Sequence, residues 1–235
     1  MLSRDEYLAE WSRWHGGTDP AASRLVHGWL SLAYALARTV SWLPPLAATA
    51  LGLLVSLAAV GPALAGGAWL IAGGLLVGLS GLLDSLDGAL ALAGGRASRR
   101  GYVLDSAVDR LTEAAYALTL WVAGAPGWLA AVFGALCWLP DYLRARAGQA
   151  GVSETGSISV WERPTRVAMT GFTVGGAGIV AATGLAEAVG VTGGPAVVVT
   201  TGTAVGAVLG LVGTAQLGFS LRRALGDQPP PGPVD

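Results

Sequence analysis

Six runs of roughly twenty mostly apolar residues constrain this chain more tightly than any other feature. They fall at about 44–64, 67–93, 101–124, 127–148, 164–187 and 194–221. A helix that crosses a bilayer needs about 20 such residues, and in hydrocarbon its backbone amides must find partners within the segment. Composition agrees: 53% of the 235 residues are hydrophobic, 12% are charged, and the mean hydropathy is +0.57. The fold class read from this is an all-α integral membrane protein with six transmembrane helices. A net charge of −1 supplies no basic field for nucleic acid. The single Cys137 rules out an internal disulfide.

Residues 1–43 precede the first run. They begin with the charged "MLSRDEYLAEWSRWHGG", which lacks the apolar core of a cleavable signal. They continue through "LVHGWLSLAYALARTVSWL", where His27, Arg38 and tryptophans recur. This region is read as a cytoplasmic, amphipathic juxtamembrane helix lying at the interface. Residues 44–223 form the membrane domain, and 224–235, ending "GDQPPPGPVD", a disordered Pro-rich tail. His15 and His27 have no metal-ligand partners at useful spacing.

The 14 basic residues are all arginine. Arg4, Arg13, Arg24 and Arg38 precede the first run, and Arg96, Arg99 and Arg100 follow the second. Arg144, Arg146, Arg163 and Arg166 flank the loop after the fourth, and Arg222 and Arg223 end the sixth. The alternate loops, near "VGPALAGG", "AGAPG" and "VGVTGG", carry none. The positive-inside rule then places both termini and both basic loops in the cytoplasm.

Four aspartates stand against this apolar background. An aspartate at the centre of a membrane helix costs about 3 kcal/mol on insertion scales. Asp84 and Asp87 (i, i+3) lie near the cytoplasmic end of the second run, and Asp105 and Asp109 (i, i+4) near the start of the third. Each pair projects from one face of its helix. A short Gly- and Arg-rich loop joins two antiparallel neighbours, so the pairs can meet. Four carboxylates together repel one another, and divalent cations are the natural compensation. Oxygen-only donors select Mg²⁺, Mn²⁺ or Ca²⁺ over zinc. Two such ions suit phosphoryl transfer, where they clamp attacking and leaving oxygens. Gly88, directly after Asp87, lets a bulky ligand approach the backbone.

These residues resemble the motif of the CDP-alcohol phosphotransferases: D-x-x-D-G-x-x-A-R, eight residues, then G-x-x-x-D-x-x-x-D. Asp84, Asp87, Gly88, Ala91, Gly101, Asp105 and Asp109 fall in register, with Ser98 three residues before the glycine. The motif's arginine is Leu92 here. "LPPLAATALG" is similar to the family's entry to its first span, giving Pro45, Thr49 and Gly52, with Leu46 where relatives carry Asn or Asp. "DYLRARAGQAG" and "WERPTR" resemble segments of phosphatidylinositol phosphate synthases, through Tyr142, Arg146, Glu162, Arg163, Pro164 and Arg166, with Arg144 replacing a lysine.

The resemblance implies a cytoplasm-facing two-metal site of Asp84, Asp87, Asp105 and Asp109, with Asp109 as general base. Pro45, Thr49, Gly88, Ala91, Ser98 and Gly101 are expected on the CDP-donor side. Arg110, Arg144, Arg163 and Arg166 are expected to bind an acceptor's phosphate, because guanidinium groups grip phosphate bidentately. Glu162 is expected to orient one of them, Asp141 to cap its helix or pair with an arginine, and Glu113 to support the site or pack between helices. The implied reaction is phosphatidyl transfer from CDP-diacylglycerol to a phosphorylated polyol, inositol phosphate foremost, with release of CMP. Glycerol phosphate is the alternative acceptor, and a silent lipid- or nucleotide-binding paralogue the alternative of another class. Small-residue stretches such as "GFTVGGAG" permit close helix contact. A homodimer in the plasma membrane completes the expectation.

Overall fold

The structure is a computed structural model that describes residues 1–14, 19–22, 24–152, 159–188 and 190–226. Among the described residues all regular structure is helical. Helix α1 (Arg4–Trp14) opens with a capping box: Glu6 N donates to Ser3 Oγ at 3.3 Å, and Ser3 N donates to Glu6 Oε2 at 2.8 Å. The exchange satisfies amides that the first turn leaves free. After a single 3₁₀ turn at Pro20–Ala22 comes α2 (Arg24–Thr39). Its residues Leu30, Ala33, Tyr34 and Ala37 are buried, while Leu32 and Arg38 face outward. The region read as one amphipathic helix is therefore two, and Tyr7 of α1 stacks on Tyr34 of α2 with ring centroids 5.5 Å apart.

The six apolar runs are all helical. The first is α3 (Pro45–Ala58) followed through Ala59 by the short α4 (Val60–Ala65), with Pro45 at the first turn where no amide is needed. The others are α5 (Trp69–Ala93), α6 (Arg99–Val122), α7 (Gly127–Gln149), α8 (Arg163–Thr183) with the one-turn α9 (Leu185–Ala188), and α10 (Gly194–Leu225). Among the described residues three segments are long and apolar enough to cross a membrane: Pro45–Ala65, Trp69–Ala93 and Gly194–Leu225. The charged residues on α6 and α7, Asp105, Asp109, Arg110, Glu113, Asp141 and Arg144, reduce the apolar character of those helices. The tail was expected from residue 224, yet α10 runs to Leu225; His15 and residues 227–235 lie outside the described residues.

Helix α5 is central, packing on α8 and α3 and also meeting α1, α2 and α4. Its approach to α8 is backbone to backbone. A Cβ at Gly74 would lie 2.6 Å from Gly171 O, and one at Gly178 2.4 Å from Ile71 N, so neither position admits a side chain without separating the helices. On the other flank α10 packs against α7 and α8 over Trp161, which is fully buried and meets Phe133 edge-on.

That tryptophan repairs a break in α7. Pro140 sits inside the helix and has no amide to give the carbonyl of Leu136. The indole Nε1 of Trp161 donates to Leu136 O instead, at 3.1 Å. In an apolar setting an unpartnered carbonyl costs about 1–3 kcal/mol. The contact therefore fixes the segment leading into α8 against α7.

Candidate metal and phosphate site

The cytoplasmic-side ends predicted for α5 and α6 bring the two aspartate pairs together. Carboxylate oxygens of Asp84, Asp105 and Asp109 lie within 4.8 Å of one another. Asp87 sits one turn further along α5, is 5% exposed, and interacts with the Thr49 hydroxyl of α3. Three of the four expected aspartates thus form the tight group, with the fourth beside it. Arg163, the first residue of α8, reaches in between: its Nη2 is 2.6 Å from Asp84 Oδ1, and its Nη1 pairs with Asp109. One guanidinium faces four carboxylates.

The donor set fits a hard divalent cation. Every candidate ligand is a carboxylate oxygen, and Asp87 Oδ2 and Asp105 Oδ1 are buried without a hydrogen-bond partner. Buried polar atoms normally find partners, so two orphaned anionic oxygens beside a carboxylate trio are the feature expected of a cation site.

A second charged cluster lies beyond it, between α6, α7 and the start of α8. Arg166 and Glu113 are each 1% exposed. Arg166 Nη1 is 2.6 Å from Glu113 Oε1 and 2.7 Å from Asp141 Oδ2, and its Nε donates to Trp161 O at 3.1 Å. Arg110 Nη1 reaches Asp141 Oδ2 at 2.7 Å and Glu113 Oε2 at 3.3 Å. Arg144 bridges Asp141 at 3.1 Å and Glu162 at 2.6 Å. Glu162 Oε1 also accepts from Ser159 N and Oγ at 2.8 and 2.9 Å. Arg110 Nη2 stands 3.9 Å from Asp109 Oδ2 and so connects the two clusters.

These positions refine the sequence expectations. Glu162 holds an arginine, as anticipated, and that arginine is Arg144. Arg144 and Arg110 keep about a quarter of their side chains exposed, enough to meet a ligand. Arg166 does not: it is enclosed by Glu113, Asp141 and the Trp161 carbonyl, so an open phosphate-gripping role does not fit it, and it serves as an internal tie. Ser98 is the N-cap of α6, its Oγ accepting from Gly101 N at 3.0 Å; the spacing of these two residues therefore has a helix-starting function. Thr49 is buried against Asp87, Gly88 has open space where a Cβ would stand, and Pro45 begins α3. Ala91 is half-buried on α5.

Leu92 is the departure from the motif, and its surroundings explain it. It packs on the buried cluster that joins α1, α2 and α5, built around Tyr7, Leu30, Tyr34, Leu86 and Ala93. Leu2 N donates to Ala93 O at 2.8 Å, which fastens the start of α1 beside it. Arg96 turns elsewhere, donating to Ser41 O at 3.0 Å. Sequence reading missed Trp161 and the buried Ser80–Tyr116 hydroxyl pair at 2.6 Å. Pro140 alone hinted at the first, through the carbonyl it had to strand.

Among the described residues the protein is an all-helical one that gathers aspartates from two adjacent helices into an acidic site. The profile of the CDP-alcohol phosphatidyltransferases matches residues 41–192, and the chain belongs to that family, as a transferase of phospholipid synthesis. Two solved structures of Mycobacterium tuberculosis phosphatidylinositol phosphate synthase are similar to it. The one with CDP-DAG bound shares 25% identity over 84% of this chain and 95% of that one, with a TM-score of 0.61. The one in complex with manganese and citrate shares 26% over 88% and 96%, with a TM-score of 0.62. No curated protein sequence matches.

Proposed function

We propose that the chain transfers a phosphatidyl group from CDP-diacylglycerol to a phosphorylated polyol, inositol phosphate foremost, releasing CMP. The observation that carries this reading is the under-compensated carboxylate group: Asp84, Asp105 and Asp109 together, Asp87 beside them, against Arg163 among them and Arg110 at their edge. The manganese complex of the similar synthase supports a divalent cation here, and its CDP-DAG complex supports the donor.

In this reading Asp84, Asp87, Asp105 and Asp109 hold two Mg²⁺ or Mn²⁺ ions. When bound, such ions neutralise the donor's diphosphate and the departing CMP. Asp109 accepts the proton of the acceptor hydroxyl as that oxygen attacks the phosphorus bearing diacylglycerol. The new phosphorus–oxygen bond forms as the bond to CMP breaks. Arg110 holds Asp109 from one side and Arg163 from the other, which orients the base. Pro45, Thr49, Gly88 and Ala91 line the donor side, with Ser98 and Gly101 shaping the start of α6. Arg144 and Arg163 bind the acceptor's phosphate, and Arg110 assists from beside the base. All six long helical segments span the plasma membrane, α1 and α2 lie at its cytoplasmic surface, the site and both termini face the cytoplasm, and the chain works as a homodimer.

The test is CMP release by the purified chain in lipid nanodiscs, given CDP-diacylglycerol, Mg²⁺ or Mn²⁺, and separately inositol phosphate, glycerol phosphate and free inositol. Inositol phosphate should be the best acceptor. Turnover only with glycerol phosphate would reassign the acceptor, and free inositol working equally well would remove the arginines from phosphate binding. No CMP release with any acceptor would sink the reading.

A further inference from the structure

The N-terminal pair α1 and α2 lies ahead of the family-matched segment and frames an open cavity away from the aspartate site. It has a volume of about 760 Å³ and is lined by Arg4 and Asp5 of α1 and by Ser31, Tyr34, Ala35, Arg38 and Thr39 of α2. Ser31, Ala35 and Arg38 recur at four and three residues, so one face of α2 forms the wall. Two guanidinium groups from different helices therefore open into one space.

The polar atoms around it are unequal. The Tyr34 hydroxyl donates to Leu2 O at 2.7 Å, and the Thr39 hydroxyl to Leu36 O at 2.7 Å, so both donors are occupied. Ser31 Oγ is buried and has no partner among the described residues. Among the described residues Arg4 pairs with Asp5 alone, at 3.5 Å, in a contact that leaves both side chains mostly exposed. The cavity thus offers two cations and one free hydroxyl against one carboxylate, a local excess of one positive charge. That set matches a phosphate group carrying one negative charge, as a phosphodiester does, and its donors can form charge-assisted hydrogen bonds to it.

The flanking surface says where such a group comes from. Leu32 on α2 is 46% exposed, Trp42 just beyond α2 76%, and Trp14 at the end of α1 52%. Exposed tryptophans beside arginines are the signature of a segment seated among lipid headgroups. We infer that Arg4, Arg38 and Ser31 form a binding site for the headgroup phosphodiester of an anionic phospholipid, which fastens α1 and α2 at the membrane surface. The site is separate from Asp84, Asp105 and Asp109 and binds a lipid that is not consumed.

The full chain in mild detergent, titrated with phosphatidylglycerol or phosphatidylcholine and followed by native mass spectrometry, tests this. One tightly bound phosphatidylglycerol is expected, and an Arg4→Gln/Arg38→Gln variant should bind it about tenfold or more weakly, the effect of losing charge-assisted contacts. Ser31→Ala should weaken it less. Arg222→Gln/Arg223→Gln, at the far end of the chain, should leave that lipid in place. Melting temperature provides a readout on the unaltered chain: phosphatidylglycerol should raise it more than phosphatidylcholine does. Equal retention by wild type and the double arginine variant, or equal stabilisation by both lipids, would overturn the inference. Displacement of the lipid by millimolar inorganic phosphate would overturn the lipid assignment and identify a soluble phosphate as the occupant.

Discussion

The two charged clusters are neighbours on α6, one turn apart, yet they are balanced in opposite ways. Around Asp109 there are four carboxylates, Asp84, Asp87, Asp105 and Asp109, with Arg163 among them and Arg110 reaching Asp109 from the neighbouring cluster at 3.9 Å. Around Glu113 there are three carboxylates, Glu113, Asp141 and Glu162, and three arginines, Arg110, Arg144 and Arg166. In the second cluster the opposite charges are equal in number, so its pairs need no added ion to balance them. The first carries an excess of negative charge, which suits it to added cations. Burial alone does not distinguish function from architecture here; the charge balance does.

The largest effect should come from the unbalanced cluster. Asp109→Asn is expected to lower CMP release by about 10²–10⁴-fold, the usual loss when a general base is removed. Calorimetry should show that this variant still binds the donor. Near-wild-type turnover would take Asp109 out of the base role. Chelation should silence the wild-type chain, and Mg²⁺ or Mn²⁺ should restore it.

Stability provides a sharper contrast, because the two clusters should respond with opposite signs. In chelator, Asp105→Asn removes one of several facing negative charges and should raise the melting temperature. A like-charge contact at 4 Å is worth between about 1 and 4 kcal/mol over effective dielectrics from 80 to 20. Arg166→Met takes the nearest partner from the buried Glu113, which keeps only Arg110 at 3.3 Å, and should cost up to about 3–5 kcal/mol. Adding Glu113→Leu to Arg166→Met should recover part of that loss. If Asp105→Asn and Arg166→Met both destabilise to the same extent, the distinction between the clusters fails.

A smaller effect belongs to Trp161. Trp161→Phe keeps a ring beneath α10 but withdraws the donor from Leu136 O, at a cost of about 1–3 kcal/mol. Thermal unfolding in detergent measures it. An unchanged midpoint would mean that the carbonyl freed by Pro140 finds another partner.

Sequence reading reached the helical segments because apolar runs of this length leave few alternatives. It reached the aspartates because i, i+3 and i, i+4 spacing fixes a helix face without reference to any other element. It did not reach the partners. Which arginine meets Asp84 and which meets Glu113 depends on how α8 crosses α5 and α6, and Arg163 and Arg166 look equivalent in "WERPTR". The close approach at Gly74 and Gly178 sets that crossing, and glycine-rich patterns are too frequent in this chain to single those two out. The split of the N-terminal region into α1 and α2 was hidden by recurring Trp and Arg on both pieces.

The smallest effect is at Leu92, where the motif and the fold disagree. If the position faced the donor, Leu92→Arg would add a charge-assisted contact and tighten CDP-diacylglycerol by roughly ten- to a hundredfold. The packing says otherwise: Leu92 lies against the α1–α2 cluster, and it borders a cavity of about 600 Å³ whose wall includes Glu6 and Glu10 of α1. An arginine placed there would lose some apolar contact but could extend its stem along that cavity towards the two glutamates. Leu92→Arg should therefore lower the melting point by the equivalent of about 1 kcal/mol and leave donor affinity within about twofold, or roughly 0.4 kcal/mol. Arg96→Ala should likewise spare the donor, because its guanidinium is already engaged with Ser41 O. Calorimetry in nanodiscs on both variants decides the matter. A tenfold gain from Leu92→Arg would mean that α1 yields its place to the donor, and that the N-terminal helix competes with the substrate for the end of α5.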